Sequence, residues 1–149
     1  MSIVARLERA SLEPTSELSA LLDEAGGAGA VVSFVGVARP EQGRVERLVL
    51  EDHPILTSRS LDEIAQAAAG RFQLTHVRVV HRCGEIRAGE PIVFAGAASA
   101  HRRSAFEATD YLMDRLKTDA VFWKREEGAG GSHWVEPTDA DHRRRERWS

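Results

Sequence analysis

The chain has 149 residues, of which 42% are hydrophobic and 29% are charged, a composition typical of one ordinary globular domain. Its 20 basic and 23 acidic side chains give a net charge of −3, which argues against a general nucleic-acid or membrane-surface binder. The single cysteine, Cys83, excludes an intrachain disulfide and zinc sites built on paired cysteines. The charged N-terminus lacks the apolar run of a signal peptide, so we expect a cytoplasmic protein with one domain over residues 1–149.

Hydrophobic periodicity predicts a short helix, two strands and a loop in the first third of the chain. The helix is expected over residues 16–25, where leucines recur at helical spacing before two glycines. An apolar, Val-rich strand is expected at Ala30–Val37, followed by a loop over residues 38–44. Residues 45–50 alternate and predict a second strand, which ends before Pro54.

Two longer helices and further strands are predicted in the rest of the chain. The helix over residues 58–71 has an apolar stripe formed by Leu61, Ile64, Ala65 and Ala68. The clearest helix is expected over residues 99–117, with Ser99 as its N-cap and an apolar stripe at Ala105, Ala108, Leu112 and Leu116. The other predicted segments are strands at 75–82, 91–98 and 121–125, a turn-rich connection at 84–90, a flexible loop at 128–132, a last strand at 133–137 and a charged tail from about residue 138.

The order of these elements indicates the fold class. Strands come in adjacent pairs and do not alternate strictly with helices, which favours an α+β fold with antiparallel pairing.

The distribution of basic residues singles out two positions. Of the 20 basic side chains, 18 are Arg and only two are Lys, namely Lys117 and Lys124. A lysine kept against this bias is expected to do what Arg does not do, such as lose its proton or attack an electrophile. The alternatives are a helix-end charge at Lys117 and, at Lys124, an ammonium whose stem lies on the neighbouring aromatic rings. Partial desolvation beside those rings would lower the Lys124 pKa.

The predicted start of the long helix carries three basic residues, His101, Arg102 and Arg103. A helix N-terminus already presents positive charge, so cations there are favourable when a bound anion faces them. The alternative is that the two arginines point to solvent. Arg39 follows a predicted strand and is a weaker candidate for contact with a bound anion. The remaining histidines show no metal-ligand spacing and are interpreted as structural or surface groups: His53, His76, His81, His133 and His142.

Several strings of the chain have a familiar form. They are Ser33-Phe34-Val35-Gly36-Val37-Ala38-Arg39, Ser99-Ala100-His101-Arg102, Leu112-Met113-Asp114-Arg115-Leu116-Lys117-Thr118 and Phe122-Trp123-Lys124-Arg125-Glu126. In this order and spacing the chain resembles the large, catalytic subunit of molybdopterin synthase, from about residue 30 to residue 135. It departs from the family pattern at residues 51–56.

The resemblance implies an α/β hammerhead fold with an additional antiparallel β-sheet, and a homodimer. It implies one small ubiquitin-like sulfur carrier on each subunit, giving a heterotetramer, and neither a metal nor another cofactor. The C-terminal Gly-Gly thiocarboxylate of the carrier donates sulfur to cyclic pyranopterin monophosphate. Two sulfur atoms complete the dithiolene of molybdopterin, so the implied enzyme is a sulfurtransferase of molybdenum cofactor biosynthesis.

The same resemblance assigns roles to residues of this chain. Lys117 and Lys124 match the two lysines essential to sulfur transfer. The implied substrate-binding positions are Val37, Ala38, Arg39, His101 and Arg102, together with both lysines, and Arg125 and Glu126 adjoin the pocket. The alternative functions are a non-catalytic homologue that only binds the carrier, and a phosphate-metabolite enzyme that uses no protein sulfur donor.

Overall fold

A computed structural model describes all 149 residues, as four helices and eight strands. In chain order these are β1 (Ser2–Glu8), α1 (Pro14–Glu24), β2 (Ala30–Val37), β3 (Arg47–Asp52), α2 (Leu56–Arg71), β4 (His76–Arg82), β5 (Gly84–Arg87), β6 (Pro91–Ser99), α3 (Arg102–Asp119), β7 (Phe122–Gly128), β8 (Gly131–Val135) and α4 (Asp139–Glu146). The expected α+β class is confirmed. None of the helices combines the length and the apolar character needed to cross a membrane.

The larger core surrounds a four-stranded sheet with the order β1-β4-β6-β2. β1 runs parallel to β4, whereas the β4–β6 and β6–β2 pairs are antiparallel. Helices α2 and α3 cover one face, where the predicted stripes of both helices are buried against Val77, Val79 and Ala95. Helix α1 covers the other face and packs Leu21 against Val80 and Phe94. Successive side chains along β4 and β6 therefore point alternately into the core under α2 and α3 and into the core under α1.

The second sheet is antiparallel throughout and has the order β5-β3-β7-β8. Its inner face buries Leu48, Leu50 and Ile86, and Phe122 packs against both this cluster and the larger core. The flexible loop expected over residues 128–132 is instead a tight hairpin that joins β7 to β8. Glycine is required at position 128, because a Cβ there would collide with the carbonyl of Arg44.

One element was missed by the sequence analysis, and two predictions about other elements are wrong. Strand β1 was not predicted, although its alternating Ile3, Ala5 and Leu7 pack against the larger core. The connection at 84–90 contains β5, whose Ile86 is fully buried. Ser99 is not the cap of α3, because β6 continues through it and its hydroxyl donates to the carbonyl of Gln73 at 2.6 Å. The helix starts after His101, whose side chain makes no capping bond.

The charged C-terminus is also different from the solvated tail that its composition predicts. It contains α4, which begins with a capping box between Thr138 and Asp141 and lies against α3. The basic side chains that follow pair with an acidic stripe on α3, and the indole of Trp148 donates to Asp114 at 2.7 Å. The ion pairs of this stripe are Arg144 and Arg147 with Asp110 and Asp114, and Arg145 with Asp119.

We predict that Trp148→Ala lowers the free energy of unfolding by about 2 kcal/mol, because it removes an aromatic anchor and a hydrogen bond to a buried carboxylate. Trp148 also packs edge-on against Phe72 and Tyr111. Urea unfolding measures the change, and Arg143→Ala, an exposed residue of the same segment, is the control. Equal stability of the two variants would contradict the anchoring role.

Candidate functional site

The two lysines of the chain come together at one end of α3. Lys117 lies in the last turn of that helix, and Lys124 lies on β7, on the face opposite to the exposed Trp123. The positive charges of both lysines act on the buried imidazole of His81, and the charge of Lys117 also acts on Lys124. One cationic site therefore forms where the end of α3, β7 and β4 come together. We call it the lysine site (Lys117, Lys124 and His81).

Neither lysine has a counter-ion of its own. All ion pairs within 4.0 Å use Arg or His as the cation, and neither ammonium takes part in a hydrogen bond. Two cations held near each other without partners are unfavourable unless an anion joins them. The arrangement therefore suits a negatively charged ligand.

Lys124 has the environment expected from its aromatic neighbours. Partial burial lowers the pKa of its ammonium, and the positive charges of Lys117 and Arg39 act in the same direction. The carboxylates of Glu126 and Asp141 oppose this shift. A lysine whose pKa is lowered gives up its proton more readily at neutral pH, which suits both proton transfer and nucleophilic attack.

His81 is the most buried member of the lysine site. The sequence did not predict that it lies near the two lysines. Its ring is buried and stacks on Phe122, with the centroids 4.4 Å apart and an interplanar angle of 28°. Burial lowers the His81 pKa to about 4, and the charges of Lys117 and Lys124 contribute to the shift. The side chain is therefore neutral at pH 7. The only sequence signal for this position is that His81 shares a strand face with Val77 and Val79.

The neutral His81 predicts a pH dependence of stability. Its pKa is about 4 in the folded protein and near 6.5 in an unfolded chain, so the unfolded state binds the proton first as pH falls. The contribution to stability is complete above pH 6.5 and is lost as pH falls towards 4. We expect the free energy of unfolding to fall by about 2.5 kcal/mol between pH 7.5 and 4.5 from this group.

Urea unfolding of the wild type and of His81→Phe at both pH values measures this contribution. The variant is expected to lose that part of the pH dependence, whereas His133→Phe, at an exposed histidine, keeps it. An unchanged slope in His81→Phe would show that the buried imidazole is not the titrating group.

Two acidic residues flank the lysine site. Glu126 lies two residues after Lys124 on the same face of β7, and its carboxylate is 3.4 Å from the imidazole of His133. Asp141, on the first turn of α4, accepts a hydrogen bond from the Thr138 amide at 2.9 Å. Burial raises the Asp141 pKa, but this hydrogen bond and the charge of Lys117 outweigh it and leave the pKa below its ordinary value. No group of three or more His, Cys, Asp or Glu side chains is arranged to hold a metal ion.

The other predicted residues of this region lie in different surroundings. Arg39 follows β2, is largely exposed, and pairs with Glu41 at 3.3 Å, although its charge also reaches Lys124. Val37 is exposed at the end of β2, and Ala38 is buried in the core of the second sheet. Arg125 lies on the face of β7 opposite to Lys124.

Arg125 is held on that outer face by its own contacts. Its guanidinium pairs with Glu51 at 3.0 Å and Glu127 at 3.2 Å and stacks over the ring of Trp134. The structure thus brings Arg39 and Glu126 towards the lysines and turns Arg125 away from them.

His101 and Arg102 lie at the opposite end of α3 from Lys117. Sixteen residues separate His101 from Lys117, which corresponds to about 24 Å along a helix. Together with Arg103, Phe106 and Glu107 they line an open groove of about 500 Å³. Arg103 pairs with Glu107 at 3.6 Å, whereas Arg102 has no carboxylate partner. One chain therefore contains two separate cationic regions, the lysine site and this helix-start groove.

Comparison with known proteins assigns the chain to a family. The model of the MoaE protein family matches residues 7–119. The chain belongs to the MoaE family. Molybdopterin synthase catalytic subunits of Caulobacter vibrioides and Pseudomonas aeruginosa are similar to it, with 50% identity over 136 residues and 45% over 145 residues. The first alignment covers 91% of each chain, and the second covers 96% of this chain and 97% of its relative.

A solved structure of a MoaE protein from Burkholderia ambifaria has a similar fold. Its TM-score is 0.81 at 31% identity, and the superposition covers 100% of this chain and 99% of that chain. The MoaE family match includes Arg39, Lys117, and His101 and Arg102 of the helix-start groove. The longer Pseudomonas alignment also spans Lys124, so both cationic regions lie within the similarity to catalytic subunits.

Proposed function

We propose that this chain is the catalytic subunit of a molybdopterin synthase. It transfers sulfur from the C-terminal thiocarboxylate of a small ubiquitin-like carrier to cyclic pyranopterin monophosphate. The observation that carries the proposal is that the only two lysines of the chain meet without counter-ions at one site. A family of proteins named as catalytic subunits supports the reaction class, and the buried free thiol of Cys83 fits a reducing, cytoplasmic location.

The charges of the reactants explain why the site is cationic. The thiocarboxylate of the carrier and the phosphate of the pterin are both anions and repel each other as they approach. Lys117 and Lys124 offset this repulsion with ammonium groups that form no direct ion pair with a protein carboxylate. Carriers without a terminal thiocarboxylate offer no sulfur, so binding and transfer are separable in this scheme.

The two lysines have different tasks in the proposed reaction. Lys117 is more exposed and polarises the thiocarboxylate of the entering tail. Alternatively, its deprotonated amine attacks the carbonyl carbon, the C–S bond breaks, and sulfide leaves towards the pterin while an amide forms with Lys117. Lys124 is more buried and stabilises the negative charge that develops on the pterin side chain, or donates a proton to it. The charges of Arg39 and Glu126 both act on Lys124.

The separation of the two cationic regions favours a site to which a second copy of the chain contributes. A pterin phosphate cannot touch the helix-start groove and the lysine site of one subunit, because about 24 Å separates them. We propose a homodimer in which His101 and Arg102 of the partner subunit hold the phosphate beside the lysine site. Two carriers on such a dimer give a heterotetramer.

The exposed edge of the larger sheet supports this dimer. β2 has a neighbour on one side only, and its Phe34 and Val37 are 42% and 48% exposed, beside Phe106 of α3 at 61%. An unpaired apolar edge favours pairing with another strand. The start of β2 pairs beside Ser99, close to the helix-start groove, and its end leads into Arg39.

Antiparallel pairing of β2 with its symmetry copy places the start of one strand beside the end of the other. Eight residues of strand span about 27 Å, which is close to the separation between the two cationic regions of one chain. This pairing therefore moves the groove of one subunit towards the lysine site of its partner.

Reconstitution tests the proposed function. The purified chain is mixed with a thiocarboxylated carrier and cyclic pyranopterin monophosphate, and molybdopterin is assayed. Product is expected with the thiocarboxylated carrier and not with the same carrier ending in an ordinary carboxylate. Carrier binding without product would favour the non-catalytic homologue, and turnover of the pterin without any carrier would favour a phosphate-metabolite enzyme.

A further inference from the structure

We propose that His81 is a positioning residue for Lys117, whose ammonium donates a hydrogen bond to the neutral Nε2 of His81 when the carrier tail occupies the lysine site. This inference rests on the proposed sulfur transfer and deepens it. Three features of the structure support it: a fixed tautomer, a fixed ring plane and the closeness of both lysine charges.

The tautomer of His81 follows from its hydrogen bond. Nδ1 lies 2.8 Å from the backbone carbonyl oxygen of Arg82, and this oxygen can only accept. In the neutral ring the proton therefore sits on Nδ1, and Nε2 presents a lone pair. No hydrogen bond of the protein uses this lone pair, so it is available to a donor from the lysine site.

The plane of the ring is fixed by packing. His81 is buried on β4 and stacks on Phe122, which lies two residues before Lys124 on the same face of β7. The stack on Phe122 and the hydrogen bond to the Arg82 carbonyl together leave the imidazole little freedom to rotate. An acceptor held in this way can orient a flexible side chain that moves towards it.

Lys117 is the donor that its position in the chain favours. α3 ends two residues after Lys117, and a two-residue connection leads from there into Phe122, the residue on which His81 stacks. The charge of Lys117 also contributes to the lowered pKa of His81. Its ammonium has three donors on a flexible stem and no other partner in the protein. A neutral acceptor orients this ammonium without cancelling its charge, whereas a carboxylate in the same place would neutralise the site and compete with the anionic tail.

The test compares two variants at His81. Gln keeps a polar acceptor at the depth of Nε2, whereas Phe keeps the stack on Phe122 and removes the acceptor. We expect His81→Phe to lower kcat about tenfold with little change in KM, and His81→Gln to stay within about threefold of the wild type. Thermal unfolding of both variants at pH 7.5 shows whether they are folded.

A double-mutant cycle separates positioning from a structural role. If His81 acts through Lys117, His81→Phe has no further effect on kcat in the Lys117→Ala background, whereas it keeps its full effect in the Lys124→Ala background. Equal kcat losses in all three backgrounds, or a wild-type rate in a folded His81→Phe protein, would overturn the proposal. Absence of product from the wild type itself would instead count against the sulfur-transfer function.

A second readout does not depend on catalysis. In the complex with an unreactive carrier ending in Gly-Gly carboxylate, the ¹⁵N resonance of His81 Nε2 reports whether it accepts a hydrogen bond. We expect this resonance to move downfield, towards that of a free imine nitrogen, when Lys117 is replaced by Ala. No movement would overturn the contact.

Discussion

Lys117→Ala is expected to lower the rate of molybdopterin formation at least about a hundredfold, because it removes the cation that we propose polarises the carrier thiocarboxylate. Binding of the carrier is expected to weaken much less, since the tail is one part of a larger interface. Single-turnover assays with saturating carrier separate the two effects.

The choice of control decides what Lys117 contributes. Lys117→Arg keeps the charge but does not release its proton at neutral pH, so a rate close to that of Lys117→Ala would favour proton loss or covalent attack. Arg59→Ala, at an exposed position without an ion pair, is expected to be fully active. Normal turnover by Lys117→Arg would contradict any role for proton loss or covalency at this position.

Glu17→Ala is expected to destabilise the protein by about 3 kcal/mol, because it leaves a buried guanidinium without its partner. Glu17 is buried on α1 and pairs with Arg78 at 2.8 Å and with Arg6 at 2.7 Å. Arg78 is itself buried on β4, so its charge has no access to water as compensation. Urea unfolding at pH 7.5 measures the change.

Glu24→Ala is the matched control, since Glu24 lies on the same helix and is only loosely paired with Arg78 at 3.9 Å. It is expected to cost less than about 1 kcal/mol. Burial acts to raise the Glu17 pKa, but the hydrogen bonds from Arg6 and Arg78 outweigh it and lower the pKa. The stability from this group is therefore present above about pH 4.3 and is lost as pH falls through the lower folded value. Equal losses in the two variants would contradict the buried network.

The longer elements α2, α3 and β2 were predictable because each has a row of apolar side chains that faces a core. The stripes of α2 and α3 were identified residue by residue, and β2 begins and ends where its apolar run does. Short elements gave weaker signals. β5 has only four residues and begins at Gly84, and its existence depends on pairing with β3, which is distant in sequence.

Local composition was misleading where tertiary partners decide the structure. The arginines of α4 resemble a solvated tail until the acidic stripe of α3 is placed beside them. The rarity of lysine singled out Lys117 and Lys124, whose charges act on each other in the structure, but it carried no information on His81, which reaches the site only through the packing of β4 against β7. The distance between His101 and Lys117 follows from helix geometry alone, and it is the basis of the proposed site shared by two subunits.

Subunit complementation tests most directly the central claim that one active site is assembled from two chains. Lys117→Ala and Arg102→Ala proteins are each expected to be nearly inactive when assayed alone with carrier and pterin. After the two are unfolded and refolded together, half of the dimers are mixed and each contains one intact site, so activity should recover to about a quarter of the wild-type value. Activity that stays at the level of the separate variants would show that both residues act within one subunit and would contradict the shared site.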